Sequence, residues 1–271
     1  MTTWKFPCPD PAAIKVSSWA SGSVAVSGEQ TAEILVEITG SRHRADVDDL
    51  IAEVRVSFED GRLTVTGPKL DGLRRRNSLD LTIITPAGSD CDVRTASGDV
   101  SFVGQLGEVA AETASGDVTV ASAAGDVSVR TSSGDVFIDE AGRDVRANSA
   151  SGDIRVAHAR GAVEAKSASG DLTIAGDGPV MADSKSGDID VKELSGGNAN
   201  LASMSGDVRV TVTPGIAVYL DLSSTAGSVR SDLDETDGPG DGPEQSAALE
   251  IRCRTVSGDI RIAKGRATAT V

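Results

Sequence analysis

The tripeptide Ser-Gly-Asp occurs eight times in this chain, with its glycines at 98, 116, 134, 152, 170, 187, 206 and 258. The first five are 18 residues apart, and the next two gaps are 17 and 19. Weaker copies fall midway, at Gly107, Gly125, Gly161, Gly178 and Gly197. Self-similarity at a fixed short period marks a repeat architecture. The unit is a nonapeptide, and two unlike nonapeptides make a pair.

Within the nonapeptides apolar residues alternate, as in Val118/Val120, Val127/Val129, Val136/Ile138 and Ile154/Val156. Alternating β-branched residues bounded by Gly, Asp and Ser predict a short strand followed by a corner. The halves differ in one place. A hydroxyl recurs only in alternate nonapeptides, as Thr95, Thr113, Thr131, Ser149, Ser167, Ser184, Ser203 and Thr255. Eighteen residues give two strands facing each other across a narrow interior. Stacking such coils at ~4.8 Å lets each strand bond to the one a coil away. The expected fold class is all-β, a parallel β-helix (β-solenoid) with two nonapeptide strand-plus-corner units per coil. An antiparallel meander is the competing fold. It would pair unlike positions and would not align the hydroxyls.

Residues 1–90 lack the glycine period and are expected to form an irregular N-terminal β cap. Its strands fall at 23–26, 31–38, 51–58, 62–66 and 78–85. "EDGRL" (59–63) is a hairpin signal, and 46–53 offers one helical turn at most. Residues 91–213 are the regular solenoid. Residues 214–271 hold the C-terminal coils, with strands near 217–222 and 249–255. The stretch 231–246, with six acids and two prolines, is expected to be a disordered acidic loop. "RTVSGDIRIAKG" (254–265) is expected to re-enter the stack as a last rung.

Serial "SGD[VI]xV" units, the segment "LTIITPAGSDCDVRTASGDV" (81–100) and the ending "RTVSGDIRIAKG" resemble a bacterial family. Its members are classed as a domain of unknown function and labelled "putative adhesin" or "β-strand repeat-containing". The resemblance implies a β-solenoid and a surface or binding role.

Charge and composition narrow the function. The net charge of −15 argues against non-specific binding to nucleic acid or an anionic membrane. No apolar run is long enough to span a bilayer, and no secretory leader precedes the repeat, which predicts a cytoplasmic protein. Three scattered cysteines, Cys8, Cys91 and Cys253, form no CxxC pair, so they are expected to be reduced thiols and not zinc ligands.

The repeat columns are the candidate sites. They comprise Gly98, Asp99, Gly116, Asp117, Gly134, Asp135, Gly152, Asp153, Gly170, Asp171, Gly187, Asp188, Gly206, Asp207, Gly258 and Asp259. Stacked carboxylates about 5 Å apart repel by about 1 kcal/mol per neighbour in water. Hydrogen bonds to corner amides of the same turn would offset this, and bridging cations are the alternative. The calcium nonapeptide pattern places Asp two residues after Gly, which this repeat does not. The glycines are expected to supply a backbone conformation closed to other residues.

Ser122, Glu140 and His158 share one column. With Glu140 in the middle, His158 cannot sit between acid and nucleophile as a catalytic base must, and a Glu140–His158 hydrogen bond is the expectation. The other histidine, His43, is expected in an exposed loop. No catalytic residue, cofactor or metal site is assigned, and the chain is read as non-enzymatic. The expected function is a protein-interaction or adhesin-like scaffold whose partner the sequence does not name. The alternatives are a DNA-mimic-like regulator of a basic partner or a cation-binding repeat. One face, carrying Thr119, Ala121, Thr173 and Ala175 with Phe137 and Arg155, is less charged than the other.

Overall fold

The computed structural model describes residues 1–40, 45–68, 78–233 and 249–265. His43 and residues 234–246 of the expected acidic loop lie outside them. The described chain is all-β apart from one helix, and it falls into two compact units, residues 1–142 and 143–271.

The first unit holds β1 (Thr2–Pro7), β2 (Ala13–Ser21), β3 (Val24–Glu29), β4 (Glu33–Gly40), α1 (Ala45–Glu53), β5 (Arg55–Glu59), β6 (Arg62–Thr66), β7 (Leu79–Pro86), β8 (Asp90–Ser97), β9 (Val100–Gly104), β10 (Val109–Thr113), β11 (Val118–Val120), β12 (Val127–Thr131) and β13 (Val136–Ile138). One sheet runs β1-β4-β7-β3-β9-β11-β13 and the other β5-β6-β2-β8-β10-β12. Val118 pairs with Val136, and Val109 with Val127, in parallel strands eighteen residues apart. The meander is thereby excluded. Val118, Val120, Val127, Val129, Val136 and Ile138 are at most 1% exposed, so like apolar residues stack on like through the interior.

The second unit holds β14 (Val145–Ser149), β15 (Ile154–Val156), β16 (Val163–Ser167), β17 (Leu172–Ala175), β18 (Val180–Ser184), β19 (Ile189–Leu194), β20 (Gly197–Ser203), β21 (Val208–Val212), β22 (Val218–Ser224), β23 (Val229–Ser231), β24 (Leu249–Thr255) and β25 (Ile260–Lys264). Its sheets run β14-β16-β18-β20-β24-β22 and β15-β17-β19-β21-β25-β23, all parallel. The breaks in period are absorbed locally. The 19-residue spacing appears as a bulge between Val191 and Leu194, where Glu193 adopts φ 54°.

Two features differ from the expected order of coils. Residues 13–29 lie inside the expected cap region, yet β2 pairs in parallel with both β6 and β8, and β3 with both β7 and β9. The N-terminal coil is therefore slipped between two later ones. The segment 249–264 re-enters as expected, but not as the outermost rung. β24 lies between β20 and β22, and β25 between β21 and β23. Pairing a terminal coil on both sides removes the fraying edge that an end strand otherwise offers.

The crossover that steps past the N-terminal coil turns on Ser89, which is fully buried. Its Oγ accepts the Ala12 N–H (2.9 Å) and the Thr85 hydroxyl (2.9 Å) and donates to the Pro86 carbonyl (2.7 Å). Trp19 fills the corner of the same coil, and its Nε1–H donates to the Leu79 carbonyl at 3.0 Å.

At the outer end of the first unit the strands turn antiparallel: β1 on β4, β4 on β7, and β5 on β6. The β5–β6 hairpin is the one signalled by "EDGRL", with Asp60 and Gly61 at φ 50° and 73°. The expectation of one helical turn at most is corrected by the nine-residue α1. Leu50 and Ile51 within it and Val54 just after it are buried, a helical spacing that also takes Ile51–Glu53 out of the expected strand.

Candidate functional site

The repeat columns are built by the stacking itself. A Cβ on Gly116 would lie 2.0 Å from the Gly98 carbonyl oxygen, and one on Gly134 would lie 1.9 Å from that of Gly116. In the second unit a Cβ on Gly170, Gly187, Gly206 or Gly258 would lie 2.1 Å from the carbonyl oxygen of Gly152, Gly170, Gly187 or Gly206 respectively. None of these glycines adopts a left-handed φ. The expected reason for glycine is thus corrected: the requirement is close approach between successive corners, with no room for a methyl group.

The hydroxyl column serves the same corners. Thr95, Thr113 and Thr131 accept the N–H of Gly98, Gly116 and Gly134 at 3.2, 3.1 and 3.0 Å. Ser167, Ser184, Ser203 and Thr255 donate to the carbonyls of Gly152, Gly170, Gly187 and Gly206 at 3.2–3.3 Å.

The aspartates Asp99, Asp117, Asp153, Asp171, Asp188, Asp207 and Asp259 reach the next coil, not their own turn as expected. Asp99 Oδ1 accepts the Asp117 N–H (3.0 Å), and Asp117 Oδ1 accepts that of Asp135 (2.9 Å). In the second unit Asp153, Asp171, Asp188 and Asp207 receive the N–H of Asp171, Asp188, Asp207 and Asp259 at 2.8–2.9 Å. Asp259 in turn accepts the Ser228 N–H at 2.8 Å, and this bond holds its carboxyl below the usual carboxylate range. The other corner repeats the device: Asp90 accepts the Glu108 N–H and Asp144 that of Ala162. A charge-assisted bond per rung offsets the repulsion along the row. Among the described residues, no cluster of three or more His, Cys, Asp or Glu side chains could hold a metal ion.

The other groups with chemical potential are placed apart. His158 Nε2 lies 3.6 Å from Asp177 Oδ2 at the surface. All three cysteines are free and buried. Burial pushes the Cys91 and Cys253 thiols up to about 12, with Asp90 and Asp221 adding to the effect.

What remains is the outward surface. On the β2–β8–β10–β12 side of the first unit it carries Lys15, Asp92, Arg94, Glu112 and Arg130. Arg94 lies 3.4 Å from Asp92 and 3.8 Å from Glu112. On the opposite sheet, parallel register aligns Thr82, Ala25, Ser101 and Thr119 in one row, and Ile84, Ser27 and Val103 in the next. Phe137 follows Thr119. Val103 is 51% and Phe137 38% exposed, and no charged side chain interrupts the rows from β7 to β11. This face is the candidate interface. The sequence identified Thr119, Ala121 and Phe137 of it. It missed Ala25, Ser27, Thr82 and Ile84, because only the slipped-in N-terminal coil brings them alongside.

In the second unit the corresponding sheet is charged: Arg209 donates to Asp188 and Asp207 at 3.0 and 2.8 Å. On its other sheet Glu164 sits between Arg146 and Lys166, whose hydrogen bonds, that of Lys166 foremost, lower its carboxyl from the ordinary range. No helix is long and apolar enough to cross a membrane among the described residues.

A comparison with curated proteins finds no match. Among solved structures the chain is similar to a "putative adhesin" from Bacteroides fragilis NCTC 9343, at 16% identity, over 96% of each chain and with a TM-score of 0.52. Two proteins of Parabacteroides distasonis ATCC 8503 align as well. One is a "putative adhesin" (13% identity, 96% of each chain, TM-score 0.40), the other a "Putative lipid binding protein" (14% identity, 98% of this chain and 96% of that one, TM-score 0.37). At these identities the first likeness speaks to fold alone. The family model Toastrack DUF4097 matches residues 12–263, and the chain belongs to that family.

Proposed function

We propose that the chain is a non-enzymatic binding scaffold, a β-solenoid of 18-residue coils. Its cap comes from within residues 1–90, its regular coils from 91–213 and its closing coils from 214–271. The uncharged face of the first unit receives a protein partner, in keeping with the adhesin name of the Bacteroides fragilis neighbour. One observation carries this reading: the aspartates and glycines of the repeat are engaged in coil-to-coil contacts and its hydroxyls in hydrogen bonds to the corner backbone. The side chains left for recognition are those projecting from the sheets. In a strongly acidic chain, rows of uncharged side chains with Val103 and Phe137 exposed, bordered by Glu29 where it accepts the Ser27 hydroxyl at 3.0 Å, are where a partner gains apolar contact while desolvating little charge.

The test compares the intact chain with Val103→Glu and Thr119→Glu as immobilised bait. Both positions are exposed, so melting is expected within about 2 °C of the parent. A partner captured by the parent is expected to be lost by both variants. Equal capture by all three baits would refute the assignment of this face.

A further inference from the structure

The second unit ends on an open coil. β22 and β23 are the outermost strands of its two sheets, and among the described residues nothing pairs with their outer edges. Their inward side chains continue the core columns: Val218 on Leu249, Leu220 on Ile251, Leu222 on Cys253, and Val229 on Ile260. One coil in, these partners are at most 1% exposed, whereas Val229 is 45% exposed and Val218, Leu220 and Leu222 are only half-buried. β22 has neither proline nor an inward charge, the features that usually blunt an edge.

Two observations narrow the occupant. Residues 234–248 carry five acids, and apart from Pro239 and Pro243, residues 234–248 and 266–271 together hold one apolar side chain larger than alanine, Val271. Neither stretch can match three alternating apolar positions. Finally, the end presents two edges with an apolar column between them. A single foreign strand completes only one of these, while a second two-sheet end completes both.

We infer that a second copy of this chain docks on this end about a two-fold axis, β22 pairing antiparallel with β22 and β23 with β23. This interface is separate from the partner face proposed above. With Leu220 opposite its own copy, Val218 meets Leu222 and the core runs on. Tyr219 then lies opposite Asp221, which keeps the two Asp221 carboxylates apart. Seven residues along β22 and about 20 Å across both sheets bury roughly 500 Å² per copy. That is below the ~800 Å² of a standard interface, so the dimer is weak and reversible. Each copy carries a net charge of −15, so two copies repel and added salt strengthens the association.

Sedimentation equilibrium of the full chain tests this from about 5 to about 300 µM, at about 0.15 and 0.5 M NaCl. The expected result is a monomer–dimer equilibrium, several-fold tighter at the higher salt. Val229→Lys and Leu220→Lys should each weaken it at least about tenfold. Val229→Lys, at an exposed position, is expected to leave the melting temperature unchanged. Leu220→Cys is expected to cross-link to its own copy on mild oxidation, because facing residues of an antiparallel pair lie about 5 Å apart at Cα. A monomer at every concentration, a dimer that persists in Val229→Lys, or no cross-link from a folded Leu220→Cys would each overturn the inference.

Discussion

Gly134→Ala places a methyl group 1.9 Å from the Gly116 carbonyl oxygen and 2.6 Å from its carbon. An ordinary contact needs about 3.3 Å, so the corner must move by more than about 1 Å. The hydrogen bonds that hold that corner include these three. Gly134 N–H donates to Thr131 Oγ1 at 3.0 Å, Asp135 N–H to Asp117 Oδ1 at 2.9 Å, and Val118 N–H to the Asp135 carbonyl at 2.9 Å. Losing them costs about 1 kcal/mol each. Overpacking adds about 1–2 kcal/mol, and the lower entropy of alanine in the unfolded chain returns about 0.5–1 kcal/mol. The expected net destabilisation is about 3–4.5 kcal/mol. Gly196→Ala is the control: its nearest atom is the Asp177 carbonyl oxygen at 3.8 Å, and its φ is not left-handed, so it should be neutral or slightly stabilising. Urea unfolding followed by far-UV circular dichroism measures both, and amide exchange at Val118 and Asp135 locates the damage. A Gly134→Ala cost below about 1 kcal/mol, or one equal to that of Gly196→Ala, would refute close approach as the reason for glycine.

Two further outcomes follow from the same geometry. Asp171→Asn keeps an oxygen to accept the Asp188 N–H, bonded at 2.8 Å, and relieves repulsion in the row, so it should shift stability by at most about 0.5 kcal/mol. Asp171→Ala should cost about 1 kcal/mol, and equal urea midpoints for the two variants would mean that charge, not the hydrogen bond, is what the column supplies. Cys91 and Cys253, pushed up to about 12 chiefly by burial, should resist a thiol reagent at pH 8 until the chain unfolds. Because the folded chain holds these protons more tightly than the unfolded one, their contribution is intact below the ordinary thiol range and is lost as pH rises through it. Rapid labelling in the native state, or a urea midpoint flat above pH 9, would contradict this.

The middle of the chain was legible because its information is local. Each nonapeptide carries its own strand pattern, corner glycine and corner acid, and Val118 lies on Val136 as the spacing requires. The ends were less legible. Gly22 and Gly227 each continue the corner column of their own unit, but serine replaces aspartate after each. In "SGSVAV" and "AGSVRS" the motif is present without its acid. α1 was underestimated because Leu50, Ile51 and Val54 are too few to set a helical period against the strand-forming residues around them.

The sequence by itself determined the period, the parallel stacking and the columns, since any other pairing would set unlike residues on one another. Only the tertiary structure decided the order of coils, in which the N-terminal coil is slipped between β6–β7 and β8–β9 and the C-terminal coil lies one place in from the edge. Every coil offers nearly the same backbone edge to its neighbour, so local chemistry cannot say which coil lies next to which. The choice falls to long-range contacts such as Ser89 with Ala12 and Trp19 with Leu79. The uncharged face depends on that order, because its rows form only when residues 25–27 are seated between 82–84 and 101–103.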